Sequence, residues 1–213
     1  MTTKVIVFDF DGTIADTYDA FVTIINRLAD EFGYQPVSQE EIRRFRNLNS
    51  QEIIKQSGIS LFKVPALLRR AKQEMSQEIT NIPLIPGMKS ALSTLQKQGK
   101  KLGIVTSNTH QNVACFLNKH ELEPIFDFVY SDTKIFGKNK IINKLIKQEQ
   151  LLREGIIYVG DETRDITAAK QSKIKVIAVS WGFNSPEILA KCNPDFLIEN
   201  PMELPQVIAD FTP

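Results

Sequence analysis

Three apolar runs in this chain end in residues that can do chemistry. Val5-Ile6-Val7-Phe8 leads into Asp9-Phe10-Asp11-Gly12-Thr13, and Leu102-Gly103-Ile104-Val105 leads into Thr106-Ser107-Asn108. Ile156-Ile157-Tyr158-Val159 leads into Gly160-Asp161-Glu162-Thr163-Arg164-Asp165. Asp9 and Asp11 stand two residues apart, so both carboxylates point the same way if the strand continues, and Gly12 then lets the backbone turn sharply. Crowding negative charge at the end of an apolar strand is costly unless a cation or a reacting group compensates it. Each segment also has a bland reading. The first, taken alone, reads equally as a strand followed by an Asx-type turn. Ser107 and Asn108 alone would cap the next helix; Asp161 would end a strand in a turn, and Asp165 would favour a helix N-terminus.

The three runs gain meaning together. In an open parallel sheet, ligands bind at the carboxyl ends of the strands, so three loaded ends on one edge make a candidate site that no single segment makes. Several carboxylates in a small volume suit a hard divalent cation, most often Mg2+, which commonly works beside substrate phosphate. The Ser107 hydroxyl, backbone N–H groups after a strand and a lysine would complete a phosphate cradle. Lysine candidates lie in Thr133-Lys134-Ile135-Phe136-Gly137-Lys138-Asn139-Lys140. A carboxylate nucleophile forming an aspartyl phosphate, with a second carboxyl acting as acid and then base, is a chemically coherent use of such a set.

The elements that must position these residues follow from pattern. From about Ala15 to Leu84 the spacing predicts helices: Phe21, Ile24, Ile25, Leu28 and Phe32 recur on one face, with Gly33 closing it. Ser38 and Glu41 form a capping box, Ser50 is a plausible N-cap for Gln51 to Gln56, and Pro65 suits the first turn of a helix running to about Ile79. Ile82-Pro83-Leu84-Ile85-Pro86-Gly87 reads as a linker. Beyond it, strands alternate with helices, which indicates a doubly wound, Rossmann-like parallel α/β sheet. The expected organisation is a core of residues 1–14 and 85–213 with a helical cap, 15–84, inserted after the first strand.

Composition narrows the function classes. In 213 residues, 42% are hydrophobic and 24% charged, with a formal charge of +1, so no global electrostatic case exists for nucleic acid or an anionic membrane surface. Cys115 and Cys192 follow no metal-ligand spacing, and Cys115 reads as a buried, inert thiol. Met1-Thr2-Thr3-Lys4 leads straight into a strand, so no signal peptide and no spanning segment are expected, and a cytoplasmic setting follows. His110 and His120 are not expected in catalysis, with nothing pairing with His120.

Taken with their order, these motifs resemble those of the haloacid dehalogenase superfamily. Asp9-Phe10-Asp11-Gly12-Thr13 is similar to its D-x-D-G-T signature, Ser107 to its second motif, and Gly160-Asp161-Glu162-Thr163-Arg164-Asp165 matches G-D-x-x-x-D in full. The likeness is greatest to the phosphoglycolate phosphatase-like branch with a small helical cap. It implies Asp9 as nucleophile and Mg2+ ligand, and Asp11 as general acid/base offering its backbone carbonyl to the metal. It further implies Asp161 and Asp165 at the metal, Ser107 and Asn108 on the phosphoryl oxygens, and Lys138 as the neutralising lysine, with Lys140 the alternative because Asn139-Lys140 follows where a proline-containing segment is usual. The substrate implied is a small phosphomonoester, with phosphoglycolate one candidate, and the protein a monomer or homodimer. Asp11 argues against dehalogenation, which needs no second acid. A sugar phosphomutase is the alternative, although Tyr18-Asp19-Ala20-Phe21 lacks the histidine that such enzymes usually carry; a non-catalytic binding module is a further one. Arg46, Asn47 and Asn49, in a loop of the cap, are expected to touch substrate, Arg46 through a carboxylate or second phosphate.

Overall fold

The computed structural model describes residues 5–131 and 137–211. It contains the strands β1 (Val5–Phe8), β2 (Lys101–Thr106), β3 (Phe128–Ser131), β4 (Ile156–Gly160), β5 (Lys175–Val179) and β6 (Phe196–Ile198). All five pairings among them are parallel, in the order β3-β2-β1-β4-β5-β6. The helices are α1 (Tyr18–Arg27), α2 (Ala29–Phe32), α3 (Gln39–Phe45), α4 (Ser50–Gln56), α5 (Val64–Glu78) and α6 (Met88–Lys97), then α7 (His110–Lys119), α8 (Lys138–Gln148), α9 (Thr163–Gln171), α10 (Pro186–Lys191) and α11 (Leu204–Asp210).

The sheet is buried on both faces, which is why its central strands read as continuous apolar runs rather than as alternation. Ile6 and Phe8 of β1 point into a cluster with Ile104, Val159, Leu92 and Phe116. Val5 and Val7 point the other way, into a cluster with Val105, Tyr158, Ile142 and Ile166. Each fully buried side chain of this size contributes about 1.5–3 kcal/mol. The strand order reverses direction at β1: the chain winds outward through β2 and β3, then returns to β4 on the opposite side. Such a switch point leaves a crevice at the carboxyl end of the central strand. The strands whose ends carry Asp9, Ser107 and Asp161 are therefore immediate neighbours, β2-β1-β4.

Helices α1 to α5 all fall between β1 and α6. The chain leaves and rejoins the sheet through paired segments, with Ala15 bridged antiparallel to Leu84. Asp16 N donates to Pro83 O at 2.9 Å and Ile85 N to Ile14 O at 3.0 Å, so the two connections are tied together at their base. Helix α5 packs along α1, burying Leu67, Ala71 and Met75.

Several local expectations need correction. The capping box at Ser38 and Glu41 is present, but the N-cap of α4 is Asn49 and not Ser50, with Glu52 completing the box. Both residue types cap well, and the helix simply begins one residue earlier. Cys115 is exposed, not buried, because it lies on the outer side of α7 while Val113 and Phe116 face the core. His120 does find partners: its Nε2 lies 3.1 Å from Ile82 O and its ring 4.3 Å from that of Phe116. No helix among the described residues is long and apolar enough to cross a membrane.

Candidate active site

Asp9 follows the last residue of β1 and is still held by the sheet, its N–H donating to Val159 O at 2.8 Å. The residue is buried and its carboxylate is used on both oxygens. Oδ1 accepts from Phe10 N at 2.8 Å, and Oδ2 from Lys138 Nζ at 2.7 Å. The same ammonium donates to Asp165 Oδ1 at 2.5 Å. Lys138 is thus the buried lysine at the first turn of α8, whereas Lys140 is exposed; Lys134 lies outside the described residues. Burial pushes Asp9 up to about 7 against the opposing pull of Lys138. Burial also works against the Lys138 charge, but Asp165 and Asp9 outweigh it and hold the ammonium above its usual range.

Asp161 ends β4. Its Oδ1 accepts from the Thr13 hydroxyl at 2.7 Å and its Oδ2 from Phe183 N at 2.7 Å. Burial, with Glu162, Asp165 and Asp9 nearby, raises its pKa well above the ordinary carboxylate range. Asp165 is completely buried and closes the first turn of α9, accepting from Glu162 N at 3.1 Å. One carboxylate oxygen from each of Asp9, Asp161 and Asp165 lies within 4.8 Å of the others. Three buried acids around one short gap, with neutral donors completing Asp161, fit a divalent cation bound through oxygen.

The backbone around this cluster is shaped for it. Gly12 has φ of 75°, a left-handed turn that glycine adopts without a Cβ clash. Gly182 is needed for a different reason: a Cβ there would stand 2.2 Å from Asp161 Oδ2. The loop after β5 is therefore part of the site.

Asp11 lies beside the acidic cluster, half-buried, and its carboxylate takes both hydrogen bonds from Asn108 Nδ2, at 3.0 and 3.1 Å. Burial raises its pKa against that stabilisation. Asn108 is itself fixed by Thr109 N and Asn112 Nδ2, both at 2.8 Å from its Oδ1. Ser107 is next to it, lining the same cavity as Asp11, and its carbonyl accepts from Lys72 Nζ of α5 at 3.0 Å.

The loop residues expected to touch substrate are used differently. Asn49 spends its side-chain oxygen on Gln51 N and Glu52 N as a helix cap and is not among the residues lining the cavity. Asn47 is exposed and accepts from the Ser185 hydroxyl at 2.6 Å. Arg46 does line the cavity, but it donates to Gly182 O at 2.8 Å and lies over the Tyr18 ring at 5.0 Å. Its carbonyl accepts from Ser185 N at 2.8 Å, so residues 46–48 are latched onto the loop that holds Asp161.

Sequence reasoning missed that loop and Lys72, and it did not pair Glu162 with Arg164 within the motif that holds them. Arg164 Nε donates to Glu162 Oε1 at 2.8 Å, and both residues line the cavity. A signal was present: Ser180-Trp181-Gly182-Phe183-Asn184 follows β5 and so reaches the same edge as the other loaded strand ends.

Comparison with known proteins agrees with this geometry. The chain is 35% identical over 205 residues to a phosphoglycolate phosphatase of Synechococcus elongatus, covering 96% of this chain and 97% of that protein. A haloacid dehalogenase-like family hydrolase from Streptococcus pneumoniae superposes with a TM-score of 0.82 at 22% identity, covering 98% of each chain. A predicted phosphatase from Clostridium acetobutylicum reaches 0.84 at 18% identity, covering 99% of this chain and 100% of that one. The family model for haloacid dehalogenase-like hydrolases matches residues 6–179, a span from β1 to the end of β5. The chain belongs to the haloacid dehalogenase-like hydrolase family.

Proposed function

We propose that this chain is a Mg2+-dependent phosphatase that hydrolyses a small phosphomonoester through a phosphorylated Asp9. The observation that carries the reading is the pairing of two carboxylates in unlike settings at one strand end. Asp9 is buried between Phe10 N–H and Lys138, while Asp11 is half-buried, displaced toward the cavity and held by Asn108. An Asp9 oxygen attacks phosphorus and the bond from phosphorus to the alcohol oxygen breaks, with Asp11 in its protonated form giving that oxygen a proton. Water then attacks phosphorus, Asp11 takes its proton, and the bond to Asp9 breaks to release phosphate. The raised pKa of Asp11 suits a group that must carry a proton in one step and accept it in the next.

Asp9, Asp161 and Asp165 would hold Mg2+, with the Asp11 carbonyl as a further oxygen; the cation supplies charge neutralisation at the phosphoryl group. Lys138 ties Asp9 to Asp165 and favours the ionised nucleophile against burial and its acidic neighbour Asp165. Ser107 and Asn108, ahead of α7, bind phosphoryl oxygens. Residues 15–84 act as a cap over this edge on the core formed by 1–14 and 85–213, with Arg46 latching it and excluding water. Phosphoglycolate, the substrate in the name of the 35%-identical relative, is the first compound to test. Both cysteines are free, which suits a reducing, cytoplasmic setting, and monomer and homodimer are equally compatible with a site built within one chain.

The test is phosphate release from a panel of phosphomonoesters with and without Mg2+, run beside Asp11→Asn. Mg2+-dependent release that falls about 10²–10⁴-fold in Asp11→Asn supports the reading. An Asp11→Asn variant as fast as the wild type would remove the acid/base role.

A further inference from the structure

Between the polar edge and the inserted helices lies an open-mouthed cavity of about 310 Å3. Asp11, Ser107, Asn108, Glu162 and Arg164 line it at the strand ends, with Arg46 and Lys72 beside them, and the wall between the inserted helices is largely apolar, with Ile25, Tyr34, Ile42, Ile54, Leu68 and Met75. The polar tip of Tyr34 is already spent, its hydroxyl donating to Ile25 O at 2.5 Å, so the ring offers only apolar surface.

Helices α3 and α4 carry Ile42, Phe45, Ile53 and Ile54 on their inner sides, yet neither helix has a fully buried residue. Apolar faces at this spacing ordinarily pack against a neighbour; here all four side chains line the cavity instead. Among the described residues, the buried side-chain atoms without a hydrogen-bond partner are Thr17 Oγ1 and Arg46 Nε, and both residues line this same cavity.

We propose that the physiological substrate is the phosphate ester of an apolar alcohol, its phosphoryl group at the strand ends and its carbon chain in the cavity between α1, α5 and the α3–α4 pair. This rests on the phosphatase reading and narrows its substrate class. Size supports it: an apolar cavity of about 150 Å3 holds a benzene ring, so twice that volume takes a chain of roughly ten carbons once the phosphoryl group has its share. Glycolate, a two-carbon acid, would reach little of the apolar wall between the helices.

The test is a chain-length series of methyl, butyl, octyl and decyl phosphates, with phosphoglycolate alongside, at saturating Mg2+. Each methylene that enters the cavity should raise kcat/KM about two- to fourfold, so octyl phosphate should exceed methyl phosphate by roughly 100-fold or more. In Ile54→Trp and Leu68→Trp, which fill the space, the octyl-to-methyl ratio should fall about tenfold or more, with circular dichroism and the melting temperature reporting that each variant is folded. A flat series in a protein that turns over methyl phosphate or phosphoglycolate overturns the apolar-alcohol proposal and leaves the phosphatase reading standing. An unchanged ratio in both tryptophan variants overturns it equally. No turnover of any ester overturns the phosphatase reading, and this proposal with it.

Discussion

Replacing Lys138 with Met removes the cation that joins Asp9 to Asp165 and keeps nearly the same volume, so its effect is electrostatic. The ammonium lies 2.7 Å from Asp9 and 2.5 Å from Asp165, with the lysine side chain 6% exposed and the acids at 3% and 0%. Removing one partner from a buried ion pair costs about 3–5 kcal/mol because the other is left charged and unpaired. Here the loss has an escape route. Burial already holds Asp9 at about 7, far above its unfolded value of 3.8, and without Lys138 it rises further, so a proton can stand in for the ammonium. A carboxylate raised in the folded state contributes stability below its unfolded pKa and loses it as pH rises through the folded pKa. The Lys138→Met deficit should therefore reach about 3–5 kcal/mol near pH 8 and shrink to about half or less near pH 5. Urea unfolding in EDTA, followed by circular dichroism at both pH values, measures it. A deficit under about 1 kcal/mol near pH 8, or one equal at the two pH values, would refute the reasoning.

Two further predictions follow from the same cluster. Mg2+ should raise the melting temperature by about 5–10 °C at one hundred times its dissociation constant near pH 8, and by much less near pH 5, where protons compete for Asp9 and Asp161; differential scanning fluorimetry checks this, and a pH-independent shift would argue against these ligands. Gly182→Ala would press a Cβ to within 2.2–2.5 Å of the Asp161 side chain. The Mg2+ concentration for half-maximal activity should then rise about 10–100-fold, and an unchanged value would mean that Asp161 is not held by this loop.

How much of this was legible in the sequence differs from element to element. The strand ends were readable because a buried parallel strand shows as an unbroken apolar run, and Asp9, Ser107 and Asp161 each interrupt one abruptly. Alternation of strands with helices put their ends on one edge, whereas their adjacency in the order β2-β1-β4 emerged only from the structure. The loop at Trp181–Ser185 was harder, since its role rests on Gly182 backing onto Asp161, a contact between residues distant in sequence that leaves no periodic trace. The cavity was illegible for a related reason. Ile42, Phe45, Ile53 and Ile54 have the spacing of any packed helix face, and spacing does not say whether a neighbour or a ligand covers it. Arg46 and Asn49 were singled out by residue type and loop position, but one is engaged by a carbonyl and a ring and the other by a helix end, demands that local sequence does not separate from ligand binding.

The most direct test of the account is whether phosphate becomes covalently attached to Asp9. Enzyme mixed with substrate and Mg2+, quenched in acid and digested, should yield a peptide spanning Asp9 that carries one added phosphoryl group by mass spectrometry. The adduct should be absent in Asp9→Asn, which should also release no phosphate. Phosphate release at the wild-type rate from Asp9→Asn, or an adduct on another residue, would contradict the central claim.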